Sequence, residues 1–184
     1  MVRGTFSPAR AWRPAVVARL ARTLGRTIQT CALSTMLKDK HLLNPSDAFG
    51  KPEDKRVFSC LLANAAPLGI REVHQCDGCW ADGYLLMQDG RTIALESKKT
   101  LGWNQLCNGV VQLLSLRGSL RPETTEGWFI YRRIDGAWSR RGHAGAIAHA
   151  QSCLSALSLP MDIKLVHLDE HCTTTIVHGT PSAA

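Results

Sequence analysis

The sequence predicts an α/β or α+β sandwich in which a mixed central sheet is flanked by helices, and three observations predict it. Two strand-like runs, Trp80 to Met87 and Arg91 to Lys98, flank Gln88-Asp89-Gly90, the signature of a β-hairpin. A proline-free, apolar-periodic segment follows from Trp103 to Leu116 and reads as a helix with one buried face. Strand and helix patterns then alternate to Leu168.

Taken in order, Asn44-Pro45-Ser46-Asp47 and Gly50-Lys51-Pro52 are turn material, and the domain is expected to span residues 46–178 with a small, polar tail at 179–184. From Glu53 to Ala65, Val57, Leu61 and Leu62 recur at helical spacing beside Lys55 and Arg56, and Pro67 and Gly69 end that helix. The hairpin comes next, then the helix from Trp103, stopped by Gly118 and Pro122. Gly127 to Arg133 is rich in aromatic and β-branched residues and reads as a strand, and Asp135-Gly136 as a turn. A helix over His143 to Leu159 and a strand over Ile163 to Leu168 complete the order.

With 184 residues, 45% apolar and 20% charged, the chain has the composition of one globular domain. Its net charge of +7 is unevenly spread. Residues 1–38 hold seven of the 22 basic residues and none of the 15 acidic ones, so the remainder balances. Any nucleic-acid surface in the domain must therefore come from local clustering, as in Arg132-Arg133 and Arg140-Arg141. The leader, taken as residues 1–45, interleaves Val16, Val17, Leu20 and Leu24 with Arg13, Arg19 and Arg22. Those are features of a mitochondrial transit peptide, the alternative being a basic arm that touches phosphates in the nucleus or cytoplasm. No stretch approaches the ~20 apolar residues of a membrane span, so a soluble protein is expected.

Seven cysteines without a secretory signal predict free thiols in a reducing, intracellular compartment. His74, Cys76 and Cys79 offer half of a zinc site, with His171 and Cys172 as its distant partners. Buried or loop thiols are the competing reading.

The chemistry concentrates between Trp80 and Leu114. Glu96 and Lys98, two apart on a strand, point to one face. The turn decides where Asp82 points. A two-residue Asp89-Gly90 loop sets Asp82 against Ser97 and separates the carboxylates. A three-residue loop with Gly90 left-handed sets Met87 against Arg91 and Asp82 against Glu96, leaving Gly83, Leu85, Met87, Ile93 and Leu95 on the opposite, apolar face. Two carboxylates a few ångströms apart repel unless a cation joins them, and hard oxygen donors suit Mg²⁺ or Mn²⁺. Gln105 and Gln112, two helical turns apart, share a face from which they can contact phosphates or position water, the alternative being ordinary helix surface. Trp103, Trp128 and Trp138 read as packing residues rather than base-stacking ones.

Asp82 followed by Glu96-Ser97-Lys98 and a Gln-bearing helix resembles the PD-(D/E)XK (restriction-endonuclease-like) nuclease superfamily, over roughly Glu53 to Leu168. The resemblance implies an αβββαβ sandwich and hydrolysis of phosphodiester bonds in DNA or RNA. It implies Mg or Mn held by Asp82, Glu96 and the Ser97 carbonyl, with Lys98 aiding attack. It also implies a ligand on the first helix, for which Glu53 is the candidate and Asp54 and Glu72 compete. Ala81 stands where the superfamily has its nominal proline. The alternative expectation is a catalytically silent nucleic-acid-binding or interaction module of the same fold, as a monomer or a dimer. A third is a zinc-stabilised interaction protein.

Overall fold

The computed structural model describes residues 38–77, 81–119 and 121–177. The leader prediction therefore falls almost wholly outside the described residues, as does Cys79. The described chain runs β1 (Lys38–Leu42), a 3₁₀ turn (Pro45–Asp47), α1 (Pro52–Ala63), β2 (Ile70–Asp77), β3 (Gly83–Met87), β4 (Thr92–Leu101) and α2 (Trp103–Ser119). It continues through β5 (Glu126–Ile134), α3 (Gly136–Ser139), α4 (Gly142–Ser155), β6 (Asp162–Leu168) and β7 (Thr174–Val177). The architecture is mixed α/β, with one seven-stranded sheet in sequential order. Strands β1 to β4 form an antiparallel meander, β4, β5 and β6 are parallel, and β7 returns antiparallel.

Parallel pairing explains the composition of β5. Trp128, Phe129, Ile130 and Tyr131 are all buried because helices cover both faces of the sheet there. On one face, Leu106, Val110 and Leu113 of α2 and Ala146 and Ala150 of α4 pack on Tyr84, Ala94, Phe129 and Tyr131. On the other, Val57, Phe58 and Leu61 of α1 pack on Leu85, Ile93, Leu95, Trp128 and Ile130. Trp128 and Trp138 are core residues and Trp103 is half-buried against the first cluster, as their packing role predicts. The start of α1 follows from Pro52 at its first turn, where the missing N–H costs nothing, and from Asp54, whose carboxylate accepts the Lys51 N–H at 3.3 Å.

Three differences from the sequence reading have physical causes. The sheet begins at Lys38, before residue 46, because β1 pairs with β2 along its length. β2 lies where no strand is expected, its alternation broken by a register shift between Ile70 and Glu72. Cys60 of α1 and Cys172, in the turn before β7, form a disulfide, so the expectation of free thiols is wrong for these two and Cys172 is closed to zinc. The same turn is tied to α1 by the Asn64 side-chain amide, which donates to the Cys172 carbonyl at 3.0 Å. Among the described residues, no helix is long and apolar enough to cross a membrane.

Candidate metal centre

The turn after β3 fixes the site. The Met87 N–H donates to the Arg91 carbonyl at 2.9 Å and the Gly90 N–H to the Met87 carbonyl at 3.1 Å. Gly90 has φ +87°, a left-handed conformation that glycine adopts without steric penalty. This is the three-residue, bulged loop. Pairing then runs Leu86 to Thr92, Leu85 to Ile93, Tyr84 to Ala94 and Gly83 to Leu95, a register that, carried one residue further, sets Asp82 opposite Glu96. The apolar set expected for this register, with Leu85, Met87, Ile93 and Leu95 facing α1, is the one observed.

Asp82 sits just beyond the end of β3, its N–H donating to the Leu95 carbonyl at 3.0 Å. Its Oδ2 accepts both the Ser97 N–H and the Ser97 hydroxyl, each at 2.8 Å, which holds the carboxylate against β4. Glu96 has no exposed surface. Its Oε1 accepts from Lys98 Nζ, and its Oε2 is buried with no hydrogen-bond partner. Lys98 Nζ also donates to Gln112 Oε1 of α2 at 2.7 Å. Helix α2 reaches the sheet at Gly109, where an added Cβ would lie 2.4 Å from the Phe129 ring and 3.4 Å from Glu96 Cγ. A glycine there lets the helix close over Glu96 and bring Gln112, one turn on, to Lys98.

Burial pushes the Glu96 carboxyl well above the usual carboxylate range, and the Asp82 charge pushes the same way, against Lys98. Burial also raises Asp82; the Ser97 hydrogen bonds and Lys98 oppose it and Asp54 adds to it. Of the three first-helix candidates, Asp54 is thus the acid whose charge reaches Asp82. Glu53 and Asp54 both line a cavity of about 200 Å³ with Ser97, Lys98 and Arg132. Glu72 belongs elsewhere, in a cluster at the sheet edge with His41 and His74.

Two acids in repulsion, one with a buried oxygen left unpartnered, form a donor set that suits a hard divalent cation: the residues present fit Mg²⁺ or Mn²⁺. The 200 Å³ cavity shares Glu53, Lys99 and Arg132 with a second of about 550 Å³, whose walls include Arg56, Arg133, His167 and His171. Lys99, Arg132 and Arg133 make no ion pair among the described residues. Arg140 and Arg141 are exposed on the α3–α4 segment and line neither cavity. The Gln105 side chain is half-buried and makes no hydrogen bond among the described residues, so of the two glutamines only Gln112 reaches Lys98.

For zinc, Cys79 lies outside the described residues, and those that are described do not come together as the spacing suggested. Cys76 is a buried core residue, and His74 is grouped with His41 and Glu72 instead. That grouping escapes sequence reasoning because it spans two strands, β1 and β2, whose patterns are not strand-like.

No family model, curated protein or solved structure matches this chain. The functional reading therefore rests on the site.

Proposed function

We propose that this protein is a divalent-metal-dependent nuclease of the PD-(D/E)XK kind, hydrolysing phosphodiester bonds in DNA, with Asp82, Glu96 and Lys98 at its centre. One observation carries the reading. The bulged turn at Gly90 sets the register whose next pair is Asp82 and Glu96, and the Asp82 charge bears on Glu96, whose buried, unpartnered Oε2 lies beside the Lys98 ammonium. The succession α1, β2, β3, β4, α2, β5 supports it, being the αβββαβ order of a restriction-endonuclease-like fold.

Asp82, Glu96 and the Ser97 carbonyl would hold the ion, with Asp54 as the first-helix acid, or Glu53 at the cavity mouth. A divalent ion bound there supplies Lewis acidity, lowering the pKa of a water and neutralising charge on a phosphoryl oxygen. The chain's own groups do the rest. Ser97 orients Asp82 through two hydrogen bonds. Gln112 holds Lys98 from the helix side, so the ammonium is placed to orient the attacking water or to stabilise the developing charge. Burial of Glu96 under Gly109 keeps bulk water off the carboxylate. Lys99, Arg132 and Arg133 supply positive charge along the adjoining cavities, suited to a phosphodiester backbone.

The test is Mg²⁺- or Mn²⁺-dependent cleavage of single- and double-stranded DNA, with RNA as a third substrate. Asp82→Ala, Glu96→Ala and Lys98→Ala are expected to remove it. Equal cleavage by wild type and all three variants overturns the reading. A second reading, a silent module that binds nucleic acid without turnover, is favoured by the Lys98–Glu96 ion pair, which already neutralises one carboxylate. Metal-independent DNA binding with no cleavage, lost on Arg132→Ala, would select it.

A further inference from the structure

At the opposite side of the meander, edge strand β1 pairs with β2 so that His41 stands directly across from His74. Their rings stack at 4.9 Å between centroids, 13° from parallel. Glu72, on the same face of β2, brings a carboxylate oxygen to them, and one donor atom from each of His41, Glu72 and His74 lies within 4.8 Å of the others. Within the group, His74 Nε2 and Glu72 Oε2 are 3.0 Å apart. Two ligands of a tetrahedral ion with bonds near 2.0–2.1 Å stand roughly 3.3 Å apart, so this pair needs to open by only a few tenths of an ångström.

Two of the donors are also held from behind. Arg71 Nε donates to Glu72 Oε1 at 3.0 Å, which leaves Oε2 for the cluster. Asp39 Oδ1 lies 3.0 Å from His74 Nδ1, the far nitrogen of that ring. A carboxylate on the outer nitrogen is the usual support of a metal-bound histidine, because it fixes the tautomer that presents a lone pair at the other nitrogen. Salt-bridged histidines with no metal show such carboxylates too. The second imidazole across the strand pair is what that simpler arrangement does not require.

We propose that His41, Glu72 and His74 form a surface zinc site, independent of Asp82 and Glu96, with Asp39 as the residue that orients His74. Two imidazoles and one carboxylate are a donor set for Zn²⁺ rather than Mg²⁺, which favours all-oxygen surroundings. The three protein ligands leave a fourth position for water or an outside ligand. Bound zinc would clip edge strand β1 to the rest of the sheet.

The test is Zn²⁺ titration of the full-length, metal-stripped protein by calorimetry, with Co²⁺ as the spectroscopic probe and thermal unfolding as a second readout. Wild type is expected to bind one Zn²⁺ at this site, to show the visible bands of four-coordinate Co²⁺, and to gain thermal stability with zinc. His41→Ala should lose all three responses. His41 is exposed, so its truncation removes little packing; His41→Gln, checked by circular dichroism, repeats the comparison in a folded variant. Asp39→Asn should weaken zinc by about 10-fold or more while leaving Co²⁺ four-coordinate. Glu96→Ala and Cys76→Ser should bind zinc as wild type does. Absence of zinc binding by wild type, binding unchanged in both His41 variants, or loss of binding in Cys76→Ser or Glu96→Ala overturns the proposal.

Discussion

The two polar clusters on this sheet differ in depth and in donor type. Around Glu96, burial pushes both carboxylates upward, the Asp82 charge adds to it at Glu96 and the Asp54 charge at Asp82, and the helix above closes on Glu96 through a glycine. Around His74, the groups stand at a strand edge where water reaches them, and both Asp39 and Glu72 face an imidazole, whereas of the inner acids Glu96 is paired with Lys98 and Asp82 with the neutral Ser97. Under the proposed function, a hard dication would relieve the electrostatic tension on the inner pair of oxygen donors. An outer set with two imidazoles carries no such tension, and its selectivity comes from nitrogen donors. The two proposals thus assign opposite metal preferences to two places on one sheet.

The largest expected effect separates the two clusters by activity. Glu96→Ala and Asp82→Ala should each lower Mg²⁺-dependent cleavage by about 100-fold or more, whereas His74→Ala should leave it within a factor of about two. Single-turnover cleavage of a labelled duplex measures this, and equal losses in all three variants would erase the distinction. Next, Gly109→Ala should destabilise the fold by about 1–3 kcal/mol, since its Cβ would meet the Phe129 ring at 2.4 Å and force α2 off Glu96. Urea denaturation gives that number. The same variant should cleave poorly while keeping its response to zinc.

A smaller effect tests the tension directly. A carboxyl whose pKa is raised on folding holds its proton more tightly in the folded chain. Its contribution to stability is whole below the unfolded value, near 4.5, and is lost as pH climbs through the raised folded value. In EDTA, wild type should therefore lose stability from about pH 5 upward. Glu96→Gln should be the more stable protein at pH 8, by an amount on the order of 1 kcal/mol. Urea midpoints at pH 5 and pH 8 check the sign, and a variant less stable than wild type at both would contradict it. Smallest of all, Gly90→Ala should cost about 1 kcal/mol through its left-handed φ, with no clash, because nothing lies within 4 Å of an added Cβ.

Legibility in the sequence follows the same division. The hairpin and the grouping of Glu96, Lys98 and Gln112 were readable because they lie in one contiguous stretch: a hairpin whose loop contains Asp-Gly, a Glu-x-Lys two apart, and a glutamine helix directly after. The apolar pattern of Leu85, Met87, Ile93 and Leu95 is satisfied on one face only in the bulged register, and the fold adopts it. What spacing could not do was show that the Asp54 charge, rather than that of Glu53, reaches Asp82, or find Gln112's contact with Lys98, since these depend on how helices sit on the sheet. The edge site was opaque. β1 contributes one buried apolar residue, Leu42, in five, and β2 is interrupted by a register shift, so neither carries the alternation that marks a strand. Cys60 and Cys172 meet across 112 residues, a separation at which cysteine spacing carries no pairing information.

Mn²⁺ titration of metal-free wild type and Glu96→Gln, followed by electron paramagnetic resonance, bears most directly on the paired carboxylates. The expected result is a bound Mn²⁺ in wild type that disappears in Glu96→Gln and survives in His74→Ala. Undiminished Mn²⁺ binding by a folded Glu96→Gln protein would contradict a metal centre at Asp82 and Glu96.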